Sequence, residues 1–152
     1  MLPSVYDTLT TETLLARINE LKPTTTAKWG KMNVAQMLAH CNVSYELTYE
    51  PEKHKKPNFI MAFISKKFIK KLVTNEVSYK PSSPTASAFI IKTNKDFDTE
   101  KQRLIDYISK TEKLGKQNFE GLESHSFGVL NATEWSNMFY KHLDHHFNQF
   151  GV

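Results

Sequence analysis

Apolar residues recur along this chain three and four apart, in four long stretches. In the first, from about Thr10 to Leu21, they are Leu14, Leu15, Ile18 and Leu21, which share one side of an α-helix. Lys22-Pro23 ends it, because the residue before proline disfavours helical backbone. The second opens at Asn33, with Gln36 three residues on, the reciprocal pairing of a capping box. Val34, Met37, Leu38 and Cys41 form its apolar side, and it runs to about Tyr49, before Pro51. The third starts near Asp96 or Asp98 and carries Leu104, Ile105 and Ile108 to Leu114, where Gly115 suits a helix stop. The fourth follows Asn131, with Glu134 as a second capping box, and lines Trp135, Met138, Phe139, His142 and His146 along one broad face. The pattern predicts an all-α fold, a four-helix bundle in a single domain over 1–152, with a short extra helix and a long loop between the second and third main helices.

That extra piece is Phe59 to Val73, where Phe59, Ile60, Phe63, Ile64, Phe68 and Leu72 alternate with Lys66, Lys67, Lys70 and Lys71. Two readings compete. Either the stretch from Phe59 to Ile91, which carries Phe59, Phe63, Phe68, Tyr79 and Phe89, packs on the bundle, covers its mouth and helps to set substrate choice with the lysines turned outward, or the basic segment lies on a membrane; the packed cover is the expectation. Thr74 to Lys95, with Pro81 and Pro84, reads as a long excursion containing a short extended piece at Ala88 to Ile91. Lys116 to Leu130 reads as a loop.

Composition changes this picture little. The 152 residues, 39% hydrophobic and 24% charged, suit a soluble domain large enough to bury a core. A net charge of +4 does not by itself argue for nucleic acid. With one cysteine, Cys41, no intrachain disulfide can form, which fits a cytoplasmic setting. No basic-then-apolar leader pattern stands at the start, and the most apolar run, Phe59 to Ile64, is too short to span a bilayer.

The histidines carry the candidate chemistry. His142 and His146 are four apart, which puts two imidazoles on one helical face. His40, among the apolar positions of the second helix, can supply a third nitrogen from across the core. Three protein ligands leave a position open, the arrangement of a catalytic metal site. A set of satisfied core histidines is the plain alternative. His145, about 100° from His146 on the helix, belongs at the edge of the face. His54 reads as a solvated loop residue and His125 as a capping or packing group. Gln149, one turn beyond His146, is placed to orient a ligand or close the helix end. Glu46 is a weak candidate for a general base. Cys41 points away from His40 and reads as a small buried residue.

Met32-Asn33-Val34-Ala35-Gln36-Met37-Leu38-Ala39-His40 resembles the second-helix motif of the DinB/YfiT-like superfamily, and His142-Leu143-Asp144-His145-His146-Phe147-Asn148-Gln149 is similar to its fourth-helix motif. His125-Ser126-Phe127-Gly128 with Trp135 and His142 resembles one bacterial branch of it. Asn148 stands where a glycine is common. The resemblance implies a four-helix bundle, often dimeric, holding a divalent metal, zinc or nickel, through His40, His142 and His146. It also implies action on a small molecule, as a transferase of low-molecular-weight thiols or as a hydrolase. From the charge and the packed-cover reading, neither nucleic acid nor membrane is expected as a partner. A non-catalytic small-ligand-binding or interaction module with a structural or vestigial histidine cluster is the other reading.

Overall fold

Four long helices account for most of the core in the computed structural model, which describes residues 1–152. They are α1 (Thr8–Glu20), α2 (Val34–Tyr49), α5 (Phe97–Leu114) and α6 (Ala132–Phe150); the shorter α3 (Phe59–Ile64) and α4 (Lys70–Thr74) lie between α2 and α5. Each long helix begins and ends for a local reason. Asn33 and Asn131 both complete capping boxes, with Gln36 and Glu134. Asp96 accepts the Thr99 amide at the start of α5, and Gly115, at φ +71, ends it in a conformation that other residues avoid.

The helices meet through the apolar sides that their spacing marks out. Leu14, Ile18, Val34, Met37, Leu38, Cys41, Leu104, Ile108, Trp135, Phe139, Leu143 and Phe147 share one core, with α2 and α6 each touching α5 or α1 neighbours on either side. α2 is the most enclosed, buried at nearly every position from Val34 to Tyr45. An aromatic layer fills one region. Tyr45 stacks on Phe139 at 4.5 Å and on Tyr107 at 5.5 Å, and Phe119 meets both Trp135 and Phe139 edge-on. Arg17 ties α1 to the end of α6 through Asp144 Oδ1 and the Val152 carbonyl.

Three expectations need correction. The 116–130 stretch holds a 3₁₀ turn, Lys116–Asn118, and a small antiparallel hairpin, β1 (Glu123–Ser124) with β2 (Gly128–Val129). Residues this short give no alternating pattern to read. The extended piece expected at Ala88 to Ile91 is only partly so, since Ser87–Phe89 forms a 3₁₀ turn and extended backbone begins at Ile90. The largest correction concerns Phe59 to Thr74. This segment does rest on α6, but its apolar side faces solvent: Phe59 is 82% exposed, Phe63 61%, Phe68 62% and Leu72 57%. The polar edge makes the contacts instead. Asn137 Nδ2 donates to the Thr74 carbonyl at 2.9 Å, and Lys141 Nζ donates to the Leu72 carbonyl at 2.8 Å and to Asn75 Oδ1 at 2.7 Å. Lys70, expected to point outward, donates to the Val129 carbonyl and pairs with Glu134. A π-helical turn over Ser65–Ile69 joins α3 to α4 and carries the later side chains off the earlier stripe.

Candidate metal centre

α2 and α6 cross where His40 faces His142 and His146. The ring centres lie 4.9, 4.5 and 4.9 Å apart, a near-equilateral triangle of imidazoles. Their donor nitrogens all fall within 4.8 Å of one another. His40 and His146 are buried and His142 is partly so. The four-residue spacing on α6 and the apolar flank of α2 thus bring together the three residues that the sequence singles out.

Each ring is held by its other nitrogen. His40 Nδ1 donates to the Phe89 carbonyl at 2.8 Å. His146 Nδ1 donates to Gln149 Oε1 at 2.8 Å, and the Gln149 amide cannot be reversed because its Nε2 donates to the Trp29 carbonyl at 2.7 Å. A carbonyl oxygen only accepts, so both rings carry their proton on Nδ1 and keep the Nε2 lone pair free. His142 Nδ1 lies 2.6 Å from Ser44 Oγ, a hydroxyl that can donate or accept. His142 Nε2 is 2.9 Å from His40 Nε2. With Ser44 donating, His142 gives its Nε2 proton to His40; with Ser44 accepting, the proton sits on Nδ1 and the third lone pair also turns inward. A change of His142 tautomer, from a proton on Nε2 to one on Nδ1, together with rotation of the Ser44 hydroxyl therefore converts a hydrogen-bonded pair into three convergent donors.

The set fits a late divalent ion. Three neutral imidazoles suit zinc, nickel or their neighbours, and partners on the non-ligating nitrogens are what such sites use to fix tautomer and aim. Two nitrogens bound to one tetrahedral zinc at about 2.0–2.1 Å stand about 3.4 Å apart, so His40 and His142 need to part by only a few tenths of an ångström. The rings are also kept uncharged. Burial, and then the neighbouring His40, push His146 down to about 3. Burial lowers His40 and His142 as well, with the surrounding imidazoles adding to the effect on His142.

The other candidates fall outside this triangle. His145 stacks edge-on against Trp29, Tyr79 and His146 at the edge of the face, as its position on the helix requires. His54 is not solvated: its Nε2 meets Glu46 Oε2 at 2.9 Å. Glu46 also pairs with Arg103. Burial opposes its charge, but these two partners outweigh that and hold the carboxyl below its ordinary range, which makes it a poor base. His125 lies half-buried in the hairpin turn, with Nδ1 3.1 Å from Ser126 Oγ. Cys41 is buried beside Met37, its thiol pushed up by burial.

Sequence reasoning found Gln149 and placed Phe89 in the segment expected over the site, where it does pack against His40 and His142, but missed Ser44 and the role of Gly30. Gly30 has φ +87, and a Cβ there would stand 2.6 Å from Gln149 Nε2. The Trp29-Gly30 dipeptide carries the only local hint, a glycine just outside a helix start. Beside the triangle opens a cleft of about 530 Å³, lined by Trp29, Met32, His40, Phe89, His146 and Gln149 among others.

The family model described as "Protein of unknown function (DUF1569)" matches residues 6–151, and the chain belongs to that family. No curated protein and no solved structure matches it.

Proposed function

We propose that the protein is a metal-dependent enzyme acting on a small molecule in the cleft beside His40, His142 and His146. The observation that carries this is the commitment of two Nδ1 protons to carbonyl oxygens, with a switchable third, around converging Nε2 atoms. A divalent ion held there supplies Lewis acidity, lowering the pKa of a water or a thiol at neutral pH. The chain's own residues do the rest. Gln149, pinned by Trp29, keeps the His146 proton on Nδ1. Phe89 lies edge-on to His142 and tilted against His40, and so limits water at the rings. The Trp29 indole N–H is buried without a partner, and an unmade hydrogen bond of this kind costs free energy that an acceptor on a bound ligand restores.

Four long helices around one core, with His40 on the second and the His142–His146 pair on the last, support membership in the DinB/YfiT-like superfamily and its four-helix bundle. That assignment favours either transfer of a low-molecular-weight thiol to an electrophile or hydrolysis of a small molecule. One feature favours a second reading, a small-ligand-binding module without turnover: no carboxylate lines the cleft, and Glu46 is engaged elsewhere. The test is a panel of thiols with electrophiles, and of simple esters and amides, run with untagged protein before and after chelation and after zinc or nickel is restored. Turnover that disappears on chelation and returns with metal is expected. Activity indifferent to chelation defeats the metal reading, and binding without turnover across the panel selects the module.

A further inference from the structure

We propose that the outward face of Phe59–Thr74 docks on the surface of an anionic lipid bilayer. The face is apolar where a protein in water ordinarily hides such residues: Phe59, Phe63, Phe68 and Leu72 are each more than half exposed, with Ile60 at 53%. Contiguous apolar exposure of this kind marks a contact surface. It is also held outward. The donors Asn137 and Lys141 grip the backbone of the segment's C-terminal end, and Lys70 grips the hairpin at Val129, so the polar edge is fixed to α6 and the aromatic side cannot turn in.

Charge selects the occupant. From Lys53 to Asn75 the chain has seven lysines and no acidic residue, while the rest, with thirteen Lys and Arg against sixteen Asp and Glu, is net −3. Lys53 and Lys70 are paired, with Glu50 and Glu134. Lys55, Lys56, Lys66, Lys67 and Lys71 have no ion-pair partner. Lys67 sits among the aromatics, its Nζ 5.6 and 5.5 Å from the centres of Phe63 and Phe68. A second copy of this chain meeting the face through a two-fold axis would set these lysines against themselves. An acidic lipid surface matches both halves of the pattern: the aromatics enter the headgroup boundary and the lysines meet the phosphates. No helix of the chain is long and apolar enough to cross a membrane, so the contact is one that lies on the bilayer.

Co-sedimentation of the full chain with phosphatidylcholine vesicles, with and without phosphatidylglycerol, tests the proposal. Binding to the anionic vesicles at about 0.01 M salt is expected, weakening at about 0.1 M as the screening length falls from about 30 to about 10 Å. Lys67→Gln with Lys71→Gln should cost about fivefold per lysine, and Phe59→Ser with Phe63→Ser and Phe68→Ser at least about tenfold. These residues are exposed, so an unchanged circular dichroism spectrum accompanies both variants. Equal binding to neutral and anionic vesicles, or anionic binding indifferent to the aromatic changes, overturns the proposal. So does a dimer seen by sedimentation velocity that dissolves in the aromatic variant while vesicles bind neither form.

Discussion

The imidazole triangle and the Phe59–Thr74 segment depart from ordinary partitioning in opposite directions. One holds three titratable rings inside the core, and the other holds a row of phenylalanines outside it. Both involve α6: its Asn137 and Lys141 grip backbone carbonyls of the segment, while at the triangle His40 on α2 is held by the Phe89 carbonyl, His142 by the Ser44 hydroxyl and His146 by Gln149. At the triangle those contacts satisfy groups that would otherwise be costly to bury. At the segment they hold apolar groups where nothing is gained from water exclusion until a partner arrives. Neither departure is a packing accident, since each is maintained by specific hydrogen bonds.

The largest effect should come from the three histidines. Adding zinc at about 1,000 times its Kd should stabilise the chelated protein by about 4 kcal/mol. His40→Ala, His142→Ala and His146→Ala should each abolish that gain in a thermal-shift series. A gain that persists in all three would remove the metal centre. Next comes the surrounding support. Ser44→Ala and Gln149→Met should weaken zinc about 10–100-fold by titration calorimetry, and Gly30→Ala should act in the same direction without touching a ligand. Wild-type affinity in Gly30→Ala would mean that Gln149 does not aim His146.

The pH response should be smaller and should lie elsewhere. Glu46 has a depressed carboxyl in the folded chain, so its contribution to stability is present above the ordinary glutamate value and disappears as pH falls through the depressed one. The gap in Tm between the wild type and Glu46→Gln should therefore be wide at neutral pH and close below about 4.5, the ordinary value. A gap that is flat in acid refutes the ion-pair account. The smallest effect belongs to the exposed segment. Phe63→Ser should change stability by no more than about 0.5 kcal/mol in urea, whereas a loss of several kcal/mol would show that the face is packed in solution.

Much of this was legible beforehand, and the reasons differ by residue. Asn33 with Gln36, and Asn131 with Glu134, mark helix starts through local hydrogen bonds that need no tertiary context. His142 and His146 declare a shared face through spacing alone, and His40 joins them because its apolar neighbours force it inward. The hairpin at Glu123–Val129 escaped notice because two-residue strands have no period. The orientation of Phe59–Thr74 escaped because amphipathic spacing says that a helix has two sides and is silent on which side meets the core. That choice was made by Asn137 and Lys141, more than sixty residues away in sequence. Ser44 was invisible for the same reason, since its partner comes from another element.

One contact at the end of α6 has a consequence for how the molecule breathes. The Lys28 amide donates to the Gln149 carbonyl at 2.8 Å while the Gln149 side chain holds the Trp29 carbonyl. The loop from Leu21 to Asn33 is thereby latched to the residue that aims His146. Opening that latch exposes the Lys28 N–H to solvent and frees the His146 ring in a single event. Amide exchange at Lys28 thus acts as a clock for the pocket: whatever binds the three rings slows it, and whatever loosens Gln149 speeds it.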